Sequence, residues 1–417
     1  MMKINGQRLL ANIARYAEIG KVGEIGVERI ALSDEDKLAR DLLKEQMLHL
    51  GLEVHIDQLG NMFGMRKGKK DLPAVAFGSH LDTVYAGGSY DGALGVLAGL
   101  ELIHSLNDAN TETDRPLVLV NFTNEEGVRF APDMMGSHVY SGQAKLEDIL
   151  NSVAYDNPDD TVRSRLKAIG YNGEMKLGSI PFDSFLELHI EQGPVLEKES
   201  VDIGVVEMVQ GIHWTRYAIE GEANHAGTTP NIYRKDAGYA SAKIIDYIGD
   251  YSRKQANPVL TTVGAIAYEP NTINIIPKKA TFTLDLRSPD DEALSQAQTE
   301  IDAYINDIVT TDELTLNKEV LVRFKPVHFP ADMVELVQTA SENLGLSSKQ
   351  MPSGAGHDAQ MMSACCSSTM IFVPSVRGIS HNIEEYTKDK DVVNGANVLF
   401  IAVLSRANAI NSVIGKA

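Results

Sequence analysis

An apolar run, Ala74-Val75-Ala76-Phe77, passes directly into Gly78-Ser79-His80-Leu81-Asp82-Thr83-Val84 and then into Tyr85-Ala86-Gly87-Gly88-Ser89-Tyr90-Asp91-Gly92-Ala93. Four apolar residues without a polar break read as a buried strand, which delivers His80 and Asp82 to its C-terminal end. Four further segments have the same character: Asn121-Phe122-Thr123-Asn124-Glu125-Glu126-Gly127, Leu186-Glu187-Leu188-His189-Ile190-Glu191-Gln192-Gly193-Pro194, Asn224-His225-Ala226-Gly227-Thr228-Thr229-Pro230 and Gly378-Ile379-Ser380-His381-Asn382. In open α/β sheets the functional crevice lies beyond the strand C-termini, so residues scattered along the chain can meet there. An acidic pair such as Glu125-Glu126 beside a strand end is hard to bury without cations or shifted pKa values. His80, Asp91, Glu126, His189 and His381 together form an oxygen and nitrogen ligand set for two divalent ions, with Asp91 as the candidate bridge.

The order of elements constrains the fold. In Leu42-Leu43-Lys44-Glu45-Gln46-Met47-Leu48-His49-Leu50 apolar residues recur at three- and four-residue intervals, which predicts a helix with one buried face, capped by Gly51. Glu53 to Ile56 and Ala74 to Phe77 read as strands, about Gly92 to Ser105 as a helix, and Leu117 to Phe122 as a strand. Alternation of this kind predicts an α/β layer with at least partly parallel strands. A different texture begins near Ile212, with strands at Trp214 to Glu220, Thr261 to Ala267 and Ala280 to Asp285, and helices at Asp236 to Ile248 and about Asp291 to Ile308. From about Val327 the first texture returns as a helix (Met333 to Leu344), a strand (Thr369 to Val373) and a helix (Val392 to Asn411). At 417 residues the chain exceeds one ordinary core. The expected organisation is a discontinuous α/β catalytic domain carrying the dinuclear site, residues 1–211 and 328–417, interrupted by an α+β domain over residues 212–327.

Charge and cysteine content narrow the chemistry. A formal charge of 38 − 57 = −19 argues against nucleic acid or an anionic membrane as partner. The N-terminal stretch Met1 to Arg8 lacks the apolar core of a signal peptide and no apolar run is long enough to span a bilayer, so a cytoplasmic location is expected. Cys365 and Cys366 are adjacent, too poorly placed to staple a fold, and read as small buried residues. Any metal must then be held by His, Asp and Glu, a donor set suited to Zn²⁺, Mn²⁺ or a similar ion. His49 and His55 read as solvated, and His104, His138, His213 and His328 as ordinary packing or surface residues.

The motifs His80-Leu81-Asp82, Asp91-Gly92, Glu125-Glu126-Gly127, His189-Ile190-Glu191-Gln192-Gly193, Asn224-His225-Ala226-Gly227 and Ser380-His381-Asn382 resemble, in order and over nearly the whole chain, the dinuclear metallohydrolases of the peptidase M20 superfamily. More narrowly they resemble its ureido-hydrolysing branch. The resemblance implies a zinc-peptidase-like catalytic domain with an inserted dimerisation and lid domain, and hence a homodimer. It implies one ion on His80, Asp91 and His189 and another on Asp91, Glu126 and His381, the ions being Zn, Mn, Co or Ni. It makes Asp82 the group that orients the His80 imidazole, Glu125 the general base and His225 the donor to the tetrahedral oxyanion. Asn274 and Arg287 match groups that hold a substrate carboxylate, a task that suits a guanidinium because it can bind both oxygens. Gln192 and the loop Ser353-Gly354-Ala355-Gly356-His357-Asp358, Gly356 included, match further substrate contacts.

Within the branch, the segment Gly211-Ile212-His213-Trp214-Thr215-Arg216 bears on the substrate. Members acting on allantoate resemble Gly-Gln-Arg-Arg there, and this chain carries Trp214 where the arginine binds a second ureido arm. An indole offers apolar area and one donor, which suits an amino-acid side chain. The expected substrate is a small ureido compound with a carboxylate, an N-carbamoyl-L-amino acid. The loops at 353–358 and 378–382 resemble the allantoate type more closely, so allantoate is the alternative. β-Ureidopropionase, aminoacylase or peptidase activity, and an inactive metal-binding scaffold, follow behind.

Overall fold

The computed structural model describes residues 2–254 and 259–408. The chain is a mixed α/β protein with two compact units, one built from residues up to Glu207 and from His328 onward, the other from Met208–Val327. No described helix is long and apolar enough to cross a membrane.

The first unit is organised by one sheet whose strands include β1 (Glu53–Ile56), β2 (Met62–Arg66), β3 (Ala74–His80), β4 (Leu117–Phe122), β5 (Phe182–Ile190), β6 (Ile203–Val209), β7 (Ser348–Ser353) and β8 (Ser367–Val373). Their order is β6-β8-β5-β3-β4-β2-β1, with β7 pairing to β6. The central strands β8, β5, β3 and β4 are mutually parallel. Every residue of β3 and β4 is buried, as is β5 from Ser184 on, which is why these segments read as unbroken apolar runs. The edge strand β1 has no fully buried residue. β3 extends three residues beyond the apolar run, because Gly78, Ser79 and His80 stay in register with Val120, Asn121 and Phe122 of β4. His80 is therefore the last residue of its strand. The helix Ala93–Asp108 is buried at thirteen of its sixteen positions.

Two buried arginines brace the loops that leave this sheet. The Arg29 guanidinium donates to the carbonyls of Leu81 (3.0 Å) and Tyr16 (2.8 Å), while its own backbone exchanges hydrogen bonds with Thr83. Burial pulls its pKa down to about 10. Arg40 pairs with Asp36 at 2.9 Å, both fully buried, and reaches the Gly60 carbonyl (2.7 Å) and Thr123 Oγ1 (3.3 Å). The first arginine fixes the stretch after His80, the second the stretch before Glu125.

The second unit is an antiparallel sheet in the order Leu260–Thr262, Lys279–Ser288, Gly211–Glu220, Thr315–Phe324, with Ile266–Glu269 also paired to Lys279–Ser288. The helices Ala237–Lys254 and Asp291–Thr311 cover one face, packing Ile244, Ile248, Ile301 and Ile305 against Tyr217, Ile219, Phe282, Leu284 and Leu286. Strand alternation then turns Trp214, Asp285 and Arg287 to the opposite face.

Several sequence expectations are corrected. The single strand expected over Thr261 to Ala267 is two short strands. From Thr262 to Ile266 is four steps, whereas their partners Asp285 to Phe282 span three, so one extra residue bulges out around Gly264. The last helix runs Asp389–Asn408, opening on the acidic first-turn residues Asp389 and Asp391; residues 409–411 lie outside the described residues. Cys365 is exposed and Cys366 half-buried, because both follow the short helix Asp358–Met362 and hang their thiols on the Met362 carbonyl.

Candidate metal centre

The loops leaving the C-terminal ends of β3, β4, β5 and β8 bring five expected ligands together. His80 closes β3 and Asp91 lies just before the helix Ala93–Asp108. Glu126 follows β4, His189 sits near the end of β5, and His381 lies in the loop after β8. His80, Asp91 and His189 form one group and Asp91, Glu126 and His381 a second, the ligand atoms of each lying within 4.8 Å of one another. Asp91 Oδ1 is 3.1 Å from His189 Nε2 and 3.7 Å from His80 Nε2. Its other oxygen, Oδ2, is 3.6 Å from His381 Nε2, which is 3.3 Å from Glu126 Oε2. One carboxylate thus faces both groups, one oxygen to each. Glu125 Oε2 lies 3.5 Å from His80 Nε2.

Main-chain contacts fix how two of the imidazoles present themselves. His80 Nδ1 is 2.9 Å from the Asp82 carbonyl and His189 Nδ1 is 3.0 Å from the Ile190 carbonyl. A carbonyl can only accept, so each Nδ1 carries a proton and each Nε2 is the nitrogen turned to the centre, the one that would ligate a metal in the neutral ring. Asp82, expected to orient the His80 imidazole, meets it through its main-chain oxygen. Its carboxylate accepts from the N–H groups of Glu125 and Glu126, both at 3.3 Å, and so shapes the turn that carries both glutamates.

The electrostatics call for cations. Burial, then Asp358, Glu126 and Glu187, push Glu125 well above the usual carboxylate range; burial, then Asp91 and Asp82, do the same to Glu126. Burial also works to raise Asp91, but contact with His189, aided by His80 and His381, holds it low. Burial takes His80 down to about 4, whereas Asp91 outweighs burial at His189 and lifts it to about 9. The ion pairs of Asp91, Glu125 and Glu126 are all with histidines, and the buried Glu126 Oε1 has no hydrogen-bond partner among the described residues. Clustered carboxylates, aimed lone pairs and an orphaned oxygen fit divalent cations, which would compensate the negative charge.

Gly92 is required by this packing. Its φ is +63°, and a Cβ there would lie 2.3–2.5 Å from the His80 ring atoms. Gly92→Ala is expected to displace His80 and lower turnover by about a hundredfold, the scale of a misplaced catalytic geometry. Metal analysis and circular dichroism of the purified variant would check it: cation loss with retained secondary structure is the expected result.

The remaining expected residues fall as follows. Gln192 Nε2 donates to Asp91 Oδ2 at 2.8 Å, so it holds the shared carboxylate as well as facing the centre. Gly356 precedes His357, whose ring lies 4.6 Å from that of His189. In the second unit, His225 and Asn274 are joined through the backbone, Ala226 N–H donating to the Asn274 carbonyl at 3.0 Å. His225 Nδ1 accepts from the N–H of Gly227 (3.0 Å) and Thr228 (3.2 Å), which leaves the proton of the neutral ring on Nε2. The Arg287 guanidinium pairs with Asp285 at 2.9 Å and lies 6.0 Å from the Trp214 ring; the buried Trp214 Nε1 has no partner among the described residues.

Sequence reasoning missed Glu187 and gave Asp358 no role of its own. Glu187 accepts from Ser79 Oγ (2.6 Å) and Ala359 N–H (2.8 Å), and Asp358 accepts from Ser137 Oγ (2.5 Å). Both are fully buried carboxyls that raise Glu125. Glu187 was detectable, since it stands two residues before His189 and so shares its face of β5.

Residues 52–405 match the description of peptidase family M20/M25/M40. An N-carbamoyl-L-amino-acid amidohydrolase of Rhizobium meliloti is 38% identical over 98% of each chain. Allantoate amidohydrolase of Escherichia coli is 33% identical over 92% of this chain and 93% of that protein. The crystal structure of an amidase of the hydantoinase/carbamoylase family from Burkholderia multivorans superposes with a TM-score of 0.92, at 40% identity, covering 97% of this chain and 98% of the other.

Proposed function

Since the chain belongs to peptidase family M20/M25/M40, we propose that it is a metal-dependent amidohydrolase that cleaves the ureido C–N bond of N-carbamoyl-L-amino acids. The products are the free amino acid and a carbamate that breaks down to ammonia and carbon dioxide. The observation that carries this reading is Asp91, shared by two ligand groups with Glu125 beside them. Full-length likeness to an N-carbamoyl-L-amino-acid amidohydrolase supports the substrate class.

Two divalent ions, drawn from Zn, Mn, Co and Ni, would be held by His80, Asp91 and His189 and by Asp91, Glu126 and His381. Bound there, they supply polarisation of the ureido carbonyl and a water that is easier to deprotonate. Glu125 takes the proton from the attacking water and returns it to the departing nitrogen, a task that suits a buried carboxylate lying 3.5 Å from His80 Nε2. His225, protonated on Nε2 by its backbone contacts, donates to the oxygen that gains charge. Arg287 and Asn274 take the substrate carboxylate, Gln192 and the Gly356 backbone contact the substrate beside the metals, and the Trp214 indole meets the amino-acid side chain. The inserted unit serves as dimerisation and lid domain of a cytoplasmic homodimer.

Allantoate is the second reading, favoured by the likeness to allantoate amidohydrolase. A parallel ammonia-release assay with several N-carbamoyl-L-amino acids, N-carbamoyl-β-alanine and allantoate, each metal being restored to chelated protein, tests both. Faster turnover of the N-carbamoyl-L-amino acids is expected. Preference for allantoate would reassign the substrate, and no ammonia from any of them would remove the ureido-hydrolase reading.

A further inference from the structure

We propose that Glu385 is a positioning residue for the shared carboxylate, fixing Asp91 in the orientation that serves both ligand groups; this rests on the metal-centre reading above. Glu385 is only 5% exposed. Its Oε1 accepts from the N–H groups of Tyr90 and Asp91, each at 3.1 Å. Ser380 Oγ lies between the two carboxyls, 3.1 Å from Glu385 Oε2 and 3.0 Å from Asp91 Oδ2, with one hydroxyl proton to give to either. Gly88 makes room for it: a Cβ at that position would stand 2.2 Å from Glu385 Oε1.

The chain path gives this contact its consequence. Glu385 stands four residues after His381, in a loop closed by the Glu385 N–H on the Asn382 carbonyl at 3.0 Å. One loop therefore supplies both the imidazole that faces Asp91 Oδ2 and the clamp on the Asp91 backbone. With Oδ2 held by the Gln192 amide, Oδ1 is left to His80 and His189. Glu385 belongs to neither ligand group, and its hydrogen-bonding partners are two N–H groups and a hydroxyl. Without it, the buried Asp91 N–H and the part-buried Tyr90 N–H lose their acceptor and Asp91 can rotate away from one group or the other.

The test is a Co²⁺ titration of chelator-stripped full-length protein, followed by calorimetry and visible absorbance, with the thermal melt of the stripped protein as the measure of folding. Glu385→Gln keeps an oxygen for both N–H groups and is expected to bind Co²⁺ within about threefold of the unaltered protein. Glu385→Ala is expected to bind about 10–100-fold more weakly with an altered absorption band, the usual scale for losing a partner that orients a ligand. Gly88→Ala, which forces the carboxyl aside, should weaken binding about tenfold or more in the same way. Co²⁺ affinity unchanged in Glu385→Ala, or Glu385→Gln as weak as Glu385→Ala, would overturn the proposal. Should Glu385→Ala fail to fold, Gly88→Ala decides: a tenfold loss supports the clamp and unchanged affinity overturns it. Failure of the ureido-hydrolase reading would show elsewhere, as unaltered protein that binds Co²⁺ normally and releases no ammonia.

Discussion

Replacing Glu125 by Gln is expected to leave the fold and cation binding intact while lowering ureido hydrolysis by about 10²–10⁴-fold, the contribution of a positioned general base. The change preserves shape, and the turn is held independently by the Asp82 carboxylate on the N–H groups of residues 125 and 126. What disappears is an oxygen able to accept a proton, 3.5 Å from His80 Nε2 in a site only 8% open at Glu125. Ammonia release at saturating metal, together with the metal content of the same preparation, measures both halves of the expectation. Turnover near that of the unaltered enzyme would take Glu125 out of the chemistry.

Asp91→Ala should abolish activity together with binding at both ligand groups, whereas His381→Ala should lose only one. Asp91 is the one residue common to the groups containing His80 and His189 and containing Glu126 and His381. After gel filtration, about two ions per chain are expected for the unaltered protein, about one for His381→Ala and essentially none for Asp91→Ala. The stripped Asp91→Ala protein should melt lower than the stripped unaltered protein at neutral pH, because Asp91 is held ionised by His189, His80 and His381, and its loss leaves those histidines and the Gln192 amide without their acceptor. Retention of two ions by Asp91→Ala would mean that it bridges nothing.

The legible part of this protein was the part dictated by periodicity and by the identity of unusual residues. Buried central strands such as Ala74–His80 and Leu117–Phe122 announce themselves as apolar runs, and ligand-type side chains at their ends stand out because burying them needs a reason. The second tier was not legible. Arg29 and Glu385 look like any charged residue, and their roles arise from contacts 52 and 294 residues distant in the chain. Asp82 was picked out by its place after His80, yet its carbonyl and its carboxylate divide the work between two loops, which no pattern of side-chain types encodes. The bulge around Gly264 depends on register against a strand that lies further along the chain, and the exposure of Cys365 on how a short helix ends.

The most direct measurement is anomalous diffraction from crystals of this protein soaked in Mn²⁺ or Zn²⁺. Two peaks about 3.5–4 Å apart are expected on either side of the Asp91 carboxylate, one against His80 and His189 and the other against Glu126 and His381. A map with no peak within bonding distance of Asp91, in crystals that take up the ion elsewhere, would contradict the two-cation centre and the hydrolysis built on it.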